Sequence, residues 1–303
     1  MKIDESCPVV FVSSNDDYVY LRQNLDLIKN NISAYEYIVI APSTVKCMAE
    51  QDGLTFVDEN LILDGLSLAS VRECFYNIAK KNGPAAWYFQ QFLKMAFCFW
   101  LSENRPKSDF YLLWDGDTIP LKKYEYAGGG LHFDVKTEFH KPYFDTISAL
   151  FPELGKLCKY SFISEHMIIS CDVMKEMIKK IESNVDIKGI VFWEKILCAV
   201  PETSLLGNGF SEFETYGTYC FYHHPKLYSI KKWDSLRDKK SWLSQKELTP
   251  GMIKWLSKKY DAVSFEKWFV PDPKKYKMVM LLSKVFSCKM TMFIIKIIEK
   301  VWK

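Results

Sequence analysis

The N-terminal half of the chain alternates short apolar runs with polar turns and an amphipathic segment. The apolar runs have the length of buried strands and occupy residues 8–12, 37–41 and 55–57. Between the first two runs, Leu21, Leu25 and Ile28 recur at helical spacing. Strand–helix–strand alternation of this kind predicts a mainly parallel sheet covered by helices.

Further elements follow along the chain. The pattern predicts helices at 87–101, 173–181 and 189–200 and a strand-like segment at 161–170. Residues 207–222 are rich in Gly, Glu and Tyr and show no clear periodicity, so we interpret them as a functional loop. In parallel sheets of this class, ligands bind outside the carboxyl ends of the strands, which is where candidate chemistry should be sought.

One such end carries two carboxylates. The apolar run at 110–114 (FYLLW) stops at Asp115 and Asp117, which are separated by a single glycine. Two like charges this close repel each other and are costly to desolvate unless a cation lies between them. Mg²⁺ or Mn²⁺ suits such oxygen ligands and commonly accompanies substrate phosphates. The stretch therefore predicts a phosphate-bearing donor held through a metal, and the polar turn at 13–17 is expected to face the same pocket.

Composition and charge narrow the class of protein. The chain has 49% hydrophobic and 25% charged residues, which is typical of globular proteins. Its net charge of +3, with basic residues interleaved with acids, gives little support for a nucleic-acid partner. Nine scattered cysteines without a Cys-x-x-Cys pair fit a reducing compartment. We find no signal peptide and no apolar run near the ~20 residues of a membrane span, so we expect a cytoplasmic protein.

Four sequence blocks occur in a characteristic order. They are 87–94 (WYFQQFLK), 111–118 (YLLWDGDT), 164–167 (SEHM) and 211–217 (SEFETYG). In these blocks, which span most of residues 8–225, the chain resembles nucleotide-sugar glycosyltransferases of the GT-A type. In particular it resembles the bacterial capsule and lipopolysaccharide O-antigen transferases long filed under a domain of unknown function. It departs from them at Trp114 and Gly116, where a smaller residue and Ser or Ala are expected.

The resemblance implies a fold and a donor site. The fold is α/β of the GT-A, Rossmann-like kind: a mixed, mainly parallel sheet flanked by helices, with a C-terminal helical appendage. Asp117 would coordinate Mn²⁺ or Mg²⁺, and Asp115 would contact ribose or metal-bound water. The metal would bridge the phosphates and stabilise the leaving nucleoside diphosphate. Lys94 would neutralise a phosphate oxygen, with a solvated lysine as the alternative, and Ser13 and Asp16 would lie near the nucleotide base.

Transfer to a hydroxyl adds a need for a base if the reaction inverts the anomeric centre. A carboxylate then takes the acceptor proton as the hydroxyl attacks the anomeric carbon. Glu212 and Glu214, in the predicted loop, are the first candidates, with Glu212 favoured and Glu165 third. For each, a surface or salt-bridged carboxylate is the alternative. One of His223 and His224 would complete the coordination of the metal, with a structural histidine as the alternative.

The C-terminal residues 276–303 differ from the rest, with six lysines and one acid. Apolar residues fall on one helical face flanked by lysines: Phe286, Met290, Phe293, Ile297 and Val301. A basic amphipathic helix of this kind can lie in the interface of an anionic membrane. The alternative is a helix packed on the domain or on a partner. We therefore predict a GT-A catalytic domain at 1–230, a helical extension at 231–275 and the amphipathic helix at 276–303.

The leading hypothesis is a metal-dependent, inverting glycosyltransferase on the inner face of the cytoplasmic membrane. It would move a hexose from a nucleotide sugar, a UDP-sugar, to a lipid-linked glycan in O-antigen or capsule synthesis. One alternative is a nucleotidyltransferase acting on sugar phosphates, which would show a glycine-rich basic loop where residues 13–17 carry acids. Another is a non-catalytic membrane-surface protein that binds glycan or nucleotide without any dependence on a metal.

Overall fold

The computed structural model describes residues 7–125, 130–156, 158–237, 242–265 and 272–301. The strands in these ranges are β1 (Val9–Val12), β2 (Tyr37–Ala41), β3 (Thr55–Asp58), β4 (Phe110–Trp114), β5 (Thr118–Pro120), β6 (His132–Val135), β7 (His166–Ser170), β8 (Ser229–Lys232), β9 (Ser235–Leu236) and β10 (Ala262–Ser264). The α-helices are α1 (Asn15–Asn31), α2 (Lys46–Gln51), α3 (Leu68–Ala79), α4 (Ala85–Asn104), α5 (Lys141–Leu150), α6 (Cys171–Ser183), α7 (Phe192–Ala199), α8 (Glu202–Leu205), α9 (Glu212–His223), α10 (Pro250–Leu256), α11 (Pro273–Ser283) and α12 (Cys288–Val301). None of these helices is both long and apolar enough to cross a bilayer.

The central sheet has five strands in the order β3-β2-β1-β4-β7. The first four are parallel, and β7 runs antiparallel to β4. All five residues of β4 are buried, as expected for a central strand whose two faces are both covered. The predicted fold class, a mixed and mainly parallel sheet flanked by helices, is confirmed.

The order of the strands creates a switch point. From β1 the chain moves outward to β2 and β3, and then returns to the other side of β1 with β4. At such a point successive connections leave in opposite directions, so a crevice opens at the carboxyl ends of the two central strands. The register pairs Val10 of β1 with Leu113 of β4, so Ser13 and Asp115 both follow strands that end at this edge.

The chain divides into two compact units that are each assembled from several segments. The first unit comprises Met1–Arg22, Ala34–Gly116 and Tyr126–Lys232. The second comprises Gln23–Ser33, Asp117–Glu125 and Trp233–Lys303. The predicted boundaries after residues 230 and 275 stay predictions. Within the described residues, the segment after 233 forms one body with two earlier pieces of chain rather than a separate appendage.

The second unit is built on the small sheet β5-β10-β9 and a cluster of apolar side chains. Val279 of α11 and Cys288, Met292 and Ile295 of α12 belong to this cluster. The amphipathic helix predicted over 276–303 is therefore two helices. The break lies before Ser287, whose hydroxyl accepts from the amide of Met290 at 3.4 Å and so caps α12.

Candidate active site at the β1–β4 switch point

Lys94 is the centre of a charged cluster at the carboxyl end of β4. Its Nζ lies 2.7 Å from Asp115 Oδ1 and 2.8 Å from Glu212 Oε1. It also lies 4.6 Å from the centroid of the Phe213 ring, a cation–π distance. The Lys94 side chain is 13% exposed, that of Glu212 is 6% exposed and that of Asp115 is 33% exposed. Asp115 is thus the member of the cluster that faces solvent most.

The charge state of Lys94 follows from its neighbours. Burial lowers the pKa of Lys94, but the charges of Asp115 and Glu212 and the hydrogen bonds to them raise it more. Its pKa therefore lies above the ordinary lysine value, and the ammonium keeps its charge at neutral pH. One buried cation is held between two carboxylates, so the cluster has an excess of negative charge.

Glu212 reaches Lys94 because a helix begins there. Residues 212–223 form α9 rather than the predicted loop, and Ser211 caps it by accepting from the amide of Glu214 at 3.2 Å. Gln91 Oε1 accepts from the amide of Glu212 at 3.1 Å, which ties this end to α4. The loop prediction is wrong because residues 212–220 are all buried, so the helix shows no polar face. The Ser-x-x-Glu spacing at Ser211 was the available signal.

Glu165 lies beside Asp115 across the antiparallel pair. Trp114 and His166 are partners in the ladder, and the amide of Asp115 donates to the carbonyl of Glu165 at 2.9 Å. The Glu165 side chain is 3% exposed and forms an ion pair with Lys136. Its φ of 63° lies in the left-handed region, where residues other than glycine are uncommon. Strain of this kind persists only where the surroundings hold it, and it is frequent at functional sites.

The surroundings that hold Glu165 centre on the next residue, His166. Its Nδ1 lies 2.7 Å from the carbonyl oxygen of Ser164 and its Nε2 lies 2.8 Å from Asp134 Oδ2. The ring stacks on Trp114 with centroids 4.7 Å apart. Both ring nitrogens thus lie within hydrogen-bond distance of oxygen atoms, which fixes the orientation of the ring. These bonds fix the backbone on either side of Glu165.

We expect Asp134→Asn to lower the free energy of unfolding by about 2 kcal/mol at pH 7, because a charge-assisted hydrogen bond to His166 is lost. Burial raises the pKa of Asp134, but hydrogen bonds from His132 and His166 and their charge lower it more, below its ordinary value. A depressed carboxyl pKa stabilises the fold above the unfolded value of ~3.9. This contribution is lost as the pH falls through the lower, folded pKa. Urea unfolding of the parent protein and of Asp134→Asn from pH 7 to pH 3 measures how this difference in the free energy of unfolding depends on pH.

The matched control for this variant is Asp145→Asn, which removes an exposed i,i+4 pair with Lys141. We expect it to change stability by less than ~0.5 kcal/mol at every pH. A difference between Asp134→Asn and the parent that grows below pH 4 would contradict the assignment.

The carboxylate of Glu214, the other predicted base, accepts hydrogen bonds from residues 161 and 162. Its Oε2 accepts from Ser161 Oγ at 2.6 Å and from the amide of Phe162 at 3.2 Å. Lys156 Nζ lies 3.9 Å from its other carboxylate oxygen. Burial raises the pKa of Glu214 above its ordinary value. The base roles predicted for Glu212, Glu214 and Glu165 stay predictions. Each of the three is nearly enclosed and faces a lysine.

His223 and His224 are not brought to this cluster. They stand at the far end of α9, eleven residues after Glu212, a rise of about 16 Å along the helix. His223 Nε2 lies 3.4 Å from Glu153 Oε1, and His224 Nε2 lies 3.1 Å from Glu176 Oε2. Helix α9 separates both histidines from Glu212, and the ligand role predicted for them stays a prediction.

The remaining predicted residues flank the switch point. Ser13 is 3% exposed, and its amide donates to the carbonyl of Ile40 at 2.9 Å. Asp16 is exposed in the first turn of α1, where a carboxylate stabilises the helix dipole. The turn predicted at 13–17 is thus partly helix, and contact of Ser13 and Asp16 with a nucleotide base stays a prediction.

The carboxylate of Asp115 is chemically suited to a divalent cation. Asp115 is one-third exposed, and among the described residues Lys94 engages only its Oδ1 atom, which leaves Oδ2 for a second cation. Asp117, the first residue of the second unit, is also partly exposed and accepts from Thr118 Oγ1 at 3.3 Å. The part of the chain that the structure describes contains no group of three or more His, Cys, Asp or Glu arranged for a metal.

Several residues of the site were missed by sequence reasoning. Lys136, Asp134 and Gln91 support Glu165, His166 and Glu212 respectively. All three contacts join residues 29 or more positions apart, and Lys136 and Asp134 come from β6 or its end. No local pattern marks such pairs.

Comparison with known proteins gives structural likenesses only. No family model and no curated protein sequence matches the chain. Mouse xyloside xylosyltransferase 1 is 8% identical with a TM-score of 0.44, covering 88% of this chain and 100% of that one. The WbbM bifunctional glycosyltransferase is 10% identical with a TM-score of 0.44, covering 87% of this chain and 46% of that one. The galactosyltransferase LgtC, in complex with donor and acceptor sugar analogues, is 12% identical with a TM-score of 0.38, covering 86% and 87%.

Proposed function

We propose that the chain is a glycosyltransferase that moves a hexose from a UDP-sugar to a lipid-linked glycan in surface polysaccharide (O-antigen or capsule) synthesis. The observation that carries this proposal is the cluster of Lys94, Asp115 and Glu212 at the switch point of the parallel sheet. A crevice at this edge is where doubly wound sheets bind nucleotides. A lysine beside the partly exposed carboxylate of Asp115 supplies the mixed charge that a metal–diphosphate group requires.

Asp115 and Asp117 would hold Mn²⁺ or Mg²⁺, which supplies charge neutralisation for the departing diphosphate when bound. Lys94 keeps a permanent positive charge next to Asp115 and uses two of its three N–H donors on Asp115 and Glu212. Among the described residues Lys94 has no third hydrogen-bond acceptor, and its remaining donor would bind a phosphate oxygen. Glu212, fixed through Gln91, directs the lysine toward Asp115. Pre-organised charge of this kind needs no rearrangement when the leaving group develops its charge.

The test is calorimetric titration of the full chain with UDP, with and without Mn²⁺. We expect binding that requires Mn²⁺ and that is weakened at least tenfold in Asp115→Asn and in Asp117→Ala. Asp145→Asn, an exposed aspartate of α5, serves as the control and should bind like the parent. Equal binding in all four proteins, or no UDP binding with or without the metal, would overturn the donor-site proposal.

A second measurement separates transfer from mere binding. The protein that binds a UDP-sugar is incubated with lipid-linked acceptor glycans, and release of UDP is followed together with the mass of the product. A product heavier by one hexose, formed only with the metal, supports the transferase. Nucleotide binding without any UDP release would favour the non-catalytic alternative instead.

A further inference from the structure

Helix α12 has apolar side chains on two opposite faces. One face packs into the core of the second unit through Cys288, Met292 and Ile295, which are 0%, 6% and 2% exposed. The other side is open to solvent, and its large apolar side chains are each 40% or more exposed: Met290, Phe293 and Ile297 of α12, and Phe286 just before the helix. We call this set the outer face. Leu281 and Val285, which precede it, are 67% and 78% exposed.

The outer face contains the apolar residues that the sequence pattern predicted to form one face of a basic amphipathic helix. In the structure the opposite face of α12 packs against the core. The inner face supplies the contacts with the core cluster, and none of the outer apolar residues belongs to that cluster. Each of them leaves 40–60% of its surface exposed. Contiguous exposed apolar side chains on a soluble protein commonly mark an interaction surface. Scattered single residues would need no such explanation.

The charge around the outer face identifies the kind of partner. Residues 273–303 contain eight lysines and a single acid, Glu299. Lys284, Lys289 and Lys296 are all exposed. At 100° per residue, Lys289 and Lys296 project within about 60° of Phe293, along one border of the outer face. A basic border beside an apolar stripe complements a surface that offers both anionic groups and hydrocarbon.

We propose that the outer face docks onto the surface of an anionic lipid bilayer, with α12 lying parallel to it and its lysines among the lipid headgroups. A second copy of the chain fits less well, because an isologous contact would bring these lysines against the same lysines of the partner. The inner face keeps its core contacts, so docking requires no unfolding of the helix. The proposal rests on residues of the second unit alone and is independent of sugar transfer.

The experiment is flotation of the full-length chain with vesicles of phosphatidylcholine alone and of phosphatidylcholine with phosphatidylglycerol. We expect at least tenfold tighter binding to the anionic vesicles, reduced by added salt because screening weakens the attraction of the lysines. The double variant Phe293→Gln/Ile297→Gln should lose at least tenfold in binding. The double variant Lys289→Gln/Lys296→Gln should bind both kinds of vesicle weakly and equally.

The matched control is Val185→Gln/Ile190→Gln, which removes two apolar residues of the first unit that are 91% and 83% exposed. It should bind vesicles like the parent. Equal binding by the control and the outer-face variants would overturn the proposal. So would a protein that ignores vesicles but dimerises through Phe293, which would assign the face to a second copy. UDP titration of the same variants should be unchanged, so a failure here is distinct from a failure of the donor site.

Discussion

Lys94→Met should abolish metal-dependent UDP binding and lower the free energy of unfolding by about 3 kcal/mol. Methionine is unbranched and only one atom shorter than lysine, so the substitution removes the charge with a small change in shape. Asp115 and Glu212 then lose the ammonium that lies 2.7 and 2.8 Å from them. Glu212 is nearly enclosed and has the larger cost, whereas Asp115 is one-third exposed and recovers part of its hydration. Urea unfolding and UDP titration measure the two effects separately.

The control for this variant is Lys107→Met, an exposed lysine in the turn after α4. It should change stability by no more than ~0.5 kcal/mol and leave UDP binding intact. Combining Lys94→Met with Glu212→Gln should restore part of the lost stability, because the uncompensated buried charge is removed. If Lys94→Met proves as mild as Lys107→Met, the cluster is not the organising feature of the site.

Gly217→Ala should lower the free energy of unfolding by about 3 kcal/mol, although alanine is the better helix former. A Cβ at residue 217 would lie 2.2 Å from Phe162 Cγ and 2.5 Å from Phe162 Cβ. The Cβ of Phe162 cannot move unless its backbone moves. That backbone also donates to Glu214 through the Phe162 amide, so the clash spreads to the edge of the site. Urea unfolding monitored by tryptophan fluorescence measures the loss.

The control for the glycine variant is Gly207→Ala in the same unit, where the nearest atom to an added Cβ is 3.7 Å away. We expect a change below about 0.5 kcal/mol. Adding Phe162→Ala to Gly217→Ala should cost less than the sum of the single changes, because the smaller side chain makes room for the methyl group. Simple additivity would mean that the contact between residues 162 and 217 does not limit the packing.

The sheet was predictable because its strands are buried on both faces. Residues 37–41 and 110–114 are continuous apolar runs, and the structure assigns strands β2 and β4 to these same residues. Burial on both faces makes such strands easy to predict, because they are continuous apolar runs. Burial has the opposite effect on α9: residues 212–220 are all buried, so the helix has no polar face and its sequence shows no helical periodicity. The hydrophobic pattern therefore predicts a helix well when one face of the helix is exposed to solvent, and it predicts a buried strand well from the length of the apolar run.

For the charged cluster around Lys94, the sequence indicated candidate residues but not which of them contact each other. Asp115 was named from its place after an apolar strand, Glu212 from a Gly- and Tyr-rich segment, and Lys94 from the resemblance to glycosyltransferases. The structure joins the three through one ammonium. The residues that fix them, such as Gln91 and Lys136, contact positions far away in the chain. Which lysine meets which glutamate depends on how strands and helices are placed, and single-sequence patterns carry no record of that placement.

Because the second unit combines early and late segments of the chain, it cannot fold until most of the chain has been synthesised. Thr118 of β5 bonds Ser264 of β10 through their hydroxyls at 2.7 Å, and 146 positions separate them. Contacts this remote close slowly, and β5 must wait for nearly the whole chain to be synthesised. A nascent or truncated chain that ends before residue 262 therefore carries an apolar strand without its partner strand β10. Such an edge invites aggregation, so chaperone binding during synthesis is the expected consequence.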